Sequence, residues 1–303
     1  MLVGASAEGV DFISEAMIRI AYIILNYKTY RETDKVVKEI LTFGNENDFI
    51  IIVDNCSPNE SSKELHRVYD GNEKVAVVDS PENGGYAKGN NFGLRFAKQY
   101  QPKYVCVMNN DIHFSRETID SLVDIYPKLE KAALLTPVQY LPGEKIAPLS
   151  SLKVPNFVYD LRLYSLLFRN KVHKYISNTP YINVQQIGLV PGAFMFVDYS
   201  IFEKIGFFNE STFLFCEERF LAKEIEQRGL KNYAILDLKY VHVHSKTINT
   251  EIAKRKQRDL IFEGRVLYTM KYGKFPLLET FILRIIRRLN EIEIMILSKI
   301  KEW

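Results

Sequence analysis

YVCVMNNDIHF, residues 104–114, is the stretch whose reading decides the fold. Tyr104-Val105-Cys106-Val107-Met108 is a short, almost wholly apolar run, as a strand buried on both faces of a parallel sheet requires. Three successive polar side chains, Asn109-Asn110-Asp111, then end it, because they cannot continue a buried strand without partners. In open α/β sheets, ligands bind just beyond the carboxyl ends of the strands. A carboxylate there, flanked by amides, is placed to hold a hard divalent cation against phosphate oxygens. The same residues also suit a turn capping the next helix, since Asn and Asp are ordinary turn formers. On this stretch alone both readings stand.

Upstream, the same device repeats. Ile18–Leu25 is a run of strong β-formers followed by Asn26-Tyr27-Lys28-Thr29 and a helical pattern from Thr33 to Leu41. Phe49–Val53 is a second apolar strand that ends in Asp54-Asn55-Cys56-Ser57-Pro58, and Glu60–Tyr69 reads as a helix. Val75–Val78 is a third strand, ending at Pro81-Glu82-Asn83-Gly84-Gly85, and Tyr86–Gln99 a further helix. After Tyr104–Met108 comes a helix over Ser115–Leu129, with Ser115 as its N-cap. Strands alternating with helices imply right-handed crossovers and a mainly parallel sheet. Four strands that all end in polar or glycine-rich residues on one edge point to a nucleotide crevice, with Asn26, Asp54, Asn83 and Asp111 converging on it. Gly84-Gly85 and Gly89 could let backbone amides approach a phosphate. The chain has no GxGxxG after the first strand and no GxxxxGK[ST], so the usual dinucleotide and P-loop readings fail.

Composition narrows the field. The 303 residues are 47% hydrophobic and 25% charged, ordinary for a globular chain. No run of about 18 apolar residues appears, which argues against a spanning helix. The start, MLVGASAEGVDFISEAM, lacks the basic and apolar regions of a signal peptide. Cys56, Cys106 and Cys216 are too few and scattered for a disulfide framework or a zinc site, which fits a reducing, cytoplasmic setting. The net charge of +3 lies wholly from Lys271 onward, where seven Lys/Arg face four Asp/Glu. A balanced main body argues against nucleic acid as a partner.

After Ala132–Gln139, a strand-like run, the alternation breaks. Leu141–Tyr181 mixes prolines, aromatics and basic residues, with Leu161–His173 helical in pattern. Val190–Val197 gives a turn and a buried strand, in which Gly192-Ala193 either admits a ligand closely or relieves crowding. Phe213–Gly229 (FLFCEERFLAKEIEQRG) is a second chemical centre, a helix from Glu217 that Gly229 ends. Glu217 and Glu218 in its first turn favour the helix dipole. The apolar residues before them also place the pair at the edge of a core, where a raised pKa would suit a general base. Lys231–Leu236 and Lys239–Val243 follow as short strands, and the second runs into His242 and His244, alternate residues that face one side.

With these residues in hand, the sequence resembles the family 2 glycosyltransferases, especially bacterial rhamnosyltransferase-like enzymes of surface polysaccharide assembly. The resemblance runs from about Ile20 to Lys246 and keeps the family's motif order. Ile23-Ile24-Leu25-Asn26-Tyr27 is similar to the opening strand and loop, and Val53-Asp54-Asn55-Cys56-Ser57 to the second, whose Asp contacts the nucleobase. Asn83-Gly84-Gly85-Tyr86-Ala87-Lys88-Gly89-Asn90-Asn91 resembles the segment beneath the diphosphate. Asn109-Asn110-Asp111 stands where the family has its DxD metal motif, and Glu217-Glu218 where it has the acidic pair carrying the base. Either His242 or His244 matches a histidine that completes the metal site. Two residues depart from the pattern: Asn109 replaces the first Asp of DxD, and Glu218 stands where Asp is commoner, with Arg219-Phe220 following.

The resemblance implies an α/β protein of GT-A (Rossmann-like) fold, a mainly parallel sheet flanked by helices with a C-terminal helical extension. It divides the chain into a segment 1–17, a transferase domain 18–248 and an extension 249–303, with the donor bound by 18–140 and the acceptor by 141–248. It implies inverting transfer from a UDP- or dTDP-sugar to a glycan or lipid-linked acceptor. Mn²⁺ or Mg²⁺ would be held by Asp111 and His242 or His244, with Glu218 as base and Glu217 orienting hydroxyls. Asn26, Tyr27, Asp54, Asn55, Asn83, Gly84, Gly85, Lys88, Asn91, Asn109, Asn110, Gly192 and Ala193 would line the donor site. A silent nucleotide-sugar-fold scaffold remains a rival because of Asn109. A sugar-phosphate nucleotidyltransferase is a weaker one, because Asn26-Tyr27-Lys28-Thr29 is not its glycine-rich basic loop. In the tail, Leu278, Ile282, Ile285, Leu289, Ile292 and Ile296 repeat at coiled-coil spacing. That leaves three fates open for 275–303: a homodimer, packing on the domain, or contact with the inner face of the cell membrane.

Overall fold

The computed structural model describes residues 19–143, 145–147, 151–164, 184–243 and 251–301. Segment 1–17, the expected helix beyond Tyr164, and His244 lie outside them. The chain runs β1 (Ile20–Asn26), α1 (Tyr30–Phe43), β2 (Asp48–Asp54), α2 (Ser61–Tyr69), β3 (Val75–Asp79) and α3 (Gly85–Ala97). It continues through β4 (Tyr104–Asn109), β5 (Ile112–Phe114), α4 (Arg116–Ile125), β6 (Ala132–Leu141), β7 (Lys145–Ile146) and α5 (Phe157–Tyr164). Then come β8 (Val184–Ile187), β9 (Phe194–Asp198), α6 (Tyr199–Ile205), α7 (Glu217–Gln227), β10 (Lys231–His242), α8 (Glu251–Tyr272) and α9 (Pro276–Lys301).

One sheet runs β3-β2-β1-β4-β9-β6-β10-β5. β1 to β4 are parallel, as the alternation requires. β9 enters antiparallel between β4 and β6, so β6 and β10 resume the direction of β4, and β5 closes the edge antiparallel. The central stretches of β1, β2 and β4 are apolar because helices cover both faces. Tyr22, Ile24, Ile50 and Ile52 point to one side, against Val36, Val37 and Ile40 of α1, Leu65 of α2 and Leu122 of α4. Ala21, Ile23, Ile51 and Val53 point to the other, against Leu94 of α3, Phe202 of α6 and Leu221 of α7. Each such large side chain, fully buried, contributes about 1.5–3 kcal/mol. Cys106 lies within this core, and burial pushes its thiol pKa up.

Register brings the polar strand ends level, pairing Asn26 with Asp54, Leu25 with Asn109, and Asp54 with Asp79. Ser115 caps α4 as expected, its hydroxyl accepting the Thr118 N–H. Three expectations change. The two short strands after α7 are one, β10, with a register shift between Ile235 and Lys239 that bends it from β8 towards β5. Within the described residues, the helix expected from Leu161 begins earlier, at Phe157. The coiled-coil seam is not the buried face of α9, where Leu283 packs with Phe262 and Val266 of α8 and with Phe157 and Leu161 of α5. Leu278, Ile285, Leu289 and Ile292 of that seam are exposed. α8 in turn lies on α7 through Phe220 and Tyr268, whose ring centroids are 5.4 Å apart.

Candidate active site

At the strand ends, buried polar side chains bond one another, with Asn55 Oδ1 left unpartnered. Asn26 donates through Nδ2 to Asp54 Oδ2 at 2.7 Å and accepts from the Thr33 hydroxyl at 2.8 Å. Asp54 Oδ1 accepts the Ser57 N–H at 2.7 Å. Asn110 donates to the hydroxyls of Thr29 and Thr33, both at 2.8 Å. Asn26 and Asp54 are only 0% and 1% exposed, at the floor of the cleft. They hold β1, β2 and α1 in register beneath the cleft, while Tyr27, 38% exposed, stands at the surface beside them.

A second set fixes the glycine-rich turn. Asn55 donates to Asn83 Oδ1 at 3.0 Å and to the Gly85 carbonyl at 3.2 Å, and Gly85 N–H returns to Asn83 Oδ1 at 3.2 Å. Gly84 is the cap of α3. Gly85 has φ +82°, and a Cβ there would lie 1.8 Å from the Phe213 carbonyl oxygen, so only glycine permits this approach. The Tyr86 N–H donates to that same carbonyl at 2.9 Å, tying α3 to the loop before α7. Lys88 is ion-paired with Glu82 at the surface. Asn91 bonds the Phe208 backbone, at 2.8 and 3.0 Å, and Glu210 at 2.8 Å. It pins the segment after α6 to α3.

At the end of β4, Asp111 and His242 come together, with Oδ1 3.0 Å from Nε2. The Val243 N–H donates to the Asp111 carbonyl at 2.9 Å, which sets the end of β10 against this turn. Asn109 Nδ2 lies 3.5 Å from the same Nε2, and Gln139 Nε2 lies 3.2 Å from His242 Nδ1. Turning the Gln139 amide over presents its oxygen to Nδ1–H and leaves Nε2 free of a proton for a metal. One carboxylate oxygen and one imidazole nitrogen on the same spot are a fitting pair of donors for a divalent cation. Among the described residues, no group of three or more His, Cys, Asp and Glu could hold a metal. The pair therefore fits a cation that takes its other ligands from a diphosphate or water.

The acidic pair joins this turn through the backbone. Asn109 N–H donates to the Ala193 carbonyl at 3.1 Å, and the Gly192 carbonyl accepts the Tyr86 hydroxyl at 2.5 Å. The Gly192 N–H also faces the Glu218 carboxylate and favours its charge. A Cβ on Gly192 would sit 2.8 Å from Glu218 Oε1, so glycine lets the carboxylate rest on the turn. Phe215 and Cys216 immediately before α7 both have left-handed φ, +70° and +69°, a costly pair for residues with side chains. Cys216 Sγ donates to the Ile261 carbonyl of α8 at 3.4 Å, which braces that turn.

Glu217 is 3% exposed with Oε2 unpartnered, and Glu218 is half-buried. Burial raises the pKa of Glu217, and the neighbouring Glu218 charge raises it further. Burial raises Glu218 as well, opposed by its own N–H and that of Gly192. The two side chains therefore favour sharing one proton. Glu217 keeps it in the drier position, while Glu218, whose charge is favoured by its own N–H and that of Gly192, carries the charge and can accept a proton from a bound hydroxyl. Tyr86 is pushed well up by burial and by both carboxylates, so it stays a hydroxyl donor.

Sequence reading missed Thr33, Tyr86, Gln139 and Asp160. Gln139 lies near the carboxyl end of β6, so the strand-end rule that found Asp111 could have found it. Asp160 gave no signal. It is fully buried on α5 and binds Arg219 in two bonds of 3.0 and 2.8 Å, with the guanidinium 4.6 Å from the Tyr268 ring.

A family model described as glycosyl transferase family 2 matches residues 22–187. The chain is 28% identical over 205 residues to the low-salt glycan biosynthesis hexosyltransferase Agl10 of Haloferax volcanii, covering 66% of this chain and 59% of that protein. Among solved structures, GalNAc-T7 with UDP, GalNAc and Mn²⁺ is similar at a TM-score of 0.60 and 12% identity, over 76% of this chain and 44% of that one. The mannosyltransferase PcManGT of Pyrobaculum calidifontis, with GDP-Man and Mn²⁺, is similar at 0.57 and 17% identity, over 88% of this chain and 68% of that one. At these identities the structural likenesses establish a shared fold.

Proposed function

The chain belongs to glycosyl transferase family 2 and has a GT-A fold, and on that premise we propose that it moves a hexosyl group from a nucleoside-diphosphate sugar to an acceptor hydroxyl with inversion. The acceptor is a growing or lipid-linked glycan, as the name of the Haloferax relative suggests. One observation carries the reading. The Glu218 carboxylate lies against Gly192, and the next residue, Ala193, accepts the N–H of Asn109, two residues before Asp111. The Glu218 carboxylate and the Asp111–His242 pair are thus linked through one hydrogen bond between the Gly192-Ala193 turn and the end of β4.

Asp111 and His242 would hold the divalent cation, and an oxygen–nitrogen donor pair suits Mn²⁺ better than Mg²⁺. When bound, that cation supplies neutralising charge to the departing diphosphate. Glu218 takes the proton of the attacking hydroxyl, and that hydroxyl oxygen bonds the anomeric carbon as the carbon–diphosphate bond breaks on the opposite face. A single displacement needs no covalent enzyme intermediate. Glu217, protonated, donates a hydrogen bond that orients a donor or acceptor hydroxyl. Tyr86 holds Gly192 in place, and Asn55 and Asn83 hold the α3 turn whose amides face the phosphates. Residues 18–140 would bind the donor and 141–248 the acceptor.

The test is thermal stability with UDP, dTDP, GDP and CDP, each with and without Mn²⁺. A ligand that binds only the folded state stabilises it by mass action, about 2.7 kcal/mol at a hundred times its Kd. The expected result is a Mn²⁺-dependent shift with one nucleotide that Asp111→Ala removes. Absence of any shift would favour a silent scaffold.

A further inference from the structure

α9 turns a wide apolar face away from the protein. Leu277, Leu278, Phe281, Ile285, Leu289 and Ile292 are 76, 57, 61, 42, 60 and 49% exposed. At about 100° per residue they span roughly 120° of the helix surface. The opposite side is occupied, with Leu283 fully buried and Glu279 and Thr280 8% and 6% exposed. Arg284 and Arg288 are exposed along one border of the apolar face and make no ion pair among the described residues. The third arginine, Arg287, is turned inward to Asp259 and Glu291. Lys271 and Lys274 precede the helix, and Lys299 and Lys301 end it.

We propose that this face of α9 docks the protein on an anionic lipid surface, the apolar stripe entering the headgroup boundary and Arg284 and Arg288 meeting lipid phosphates. Charge complementarity selects this occupant over a second copy of the chain. Paired copies would set the arginine borders near each other, and among the described residues of α9 the one exposed carboxylate, Glu291, is already engaged by Arg287, while Glu279 is buried. The stripe is also broader than the two-residue seam of a coiled coil. No helix among the described residues is long and apolar enough to cross a membrane, so α9 lies in the plane of the surface. The proposal stands apart from the catalytic reading and survives its failure.

Flotation of the full chain with phosphatidylcholine vesicles, with and without phosphatidylglycerol, tests it. The protein should float with the anionic vesicles and not with the neutral ones, and added salt should release it. Phe281→Glu with Leu289→Glu should abolish flotation and leave the melting temperature unchanged, since both side chains already face solvent. Arg284→Gln with Arg288→Gln, which leaves the apolar stripe intact, should weaken binding about 25-fold, at about fivefold per arginine. Equal flotation on neutral vesicles, or unaltered flotation of the glutamate variant, would overturn the proposal. So would a wild-type dimer in sedimentation equilibrium that floats with neither vesicle and that the glutamate variant dissociates.

Discussion

Replacing Glu217 by Gln should stabilise the protein at neutral pH and flatten the pH dependence of its stability. Glu217 is 3% exposed, its Oε2 has no partner, and burial with the neighbouring Glu218 raises its pKa from an ordinary 4.5. The unfolded chain releases this proton above about pH 4.5, whereas the folded chain keeps it. Protons bound in the folded state and not in the unfolded one make stability fall as pH rises. The group's contribution is therefore greatest below the unfolded pKa and is lost as pH climbs towards the raised folded one. Holding the proton at pH 7 costs about 1.4 kcal/mol for each unit above the unfolded pKa, about 3 kcal/mol in all. Sharing the proton with Glu218 lowers this, so Gln should gain about 1–3 kcal/mol at neutral pH and little near pH 4.5. Urea unfolding of both proteins across this range measures it. A wild type whose stability relative to Glu217→Gln rises with pH, or a variant less stable at neutral pH, would refute the shared-proton account.

Gly85→Ala should destabilise the protein by at least about 1–3 kcal/mol and loosen the loop before α7, because φ is +82° and the Phe213 carbonyl blocks the new methyl; urea unfolding and proteolysis near Phe213 read both effects. Asp160→Asn removes the counter-charge shared by the buried Arg219 guanidinium and the adjoining Arg265 and should cost about 3–5 kcal/mol, whereas Asp160→Leu with Arg219→Met and Arg265→Met should cost much less; urea midpoints compare them. Gln139→Leu removes the partner of His242 Nδ1 and should weaken Mn²⁺ binding about 10–100-fold, read by the electron paramagnetic resonance of free Mn²⁺.

The fold was legible where local chemistry repeats. Apolar runs stopped by Asn26, Asp54 and Asn109 mark strands that end on one edge, and the structure aligns them there. Antiparallel β9 between β4 and β6 left no such mark, because a buried strand has the same apolar pattern in either direction. Chemistry-bearing residue types were legible too, but not where their side chains are spent. Asn91 and Asn83 share one Asn-Gly segment, yet one is consumed by the Phe208 backbone and the other closes the α3 turn. Asp160 and Arg219 stand 59 residues apart, and neither sequence context announces the other. On α9 the heptad spacing was real, but Leu283, outside the seam, is what meets Phe262 and Val266.

The central claim is that Glu218 accepts the proton in a sugar transfer. Its most direct test is the transfer or hydrolysis rate with the nucleotide sugar identified by stabilisation, wild type against Glu218→Gln, with donor and Mn²⁺ binding measured on both. A loss of about 100- to 10,000-fold in rate, with binding unchanged, is the predicted result. A Glu218→Gln protein that transfers sugar at close to the wild-type rate would contradict the account.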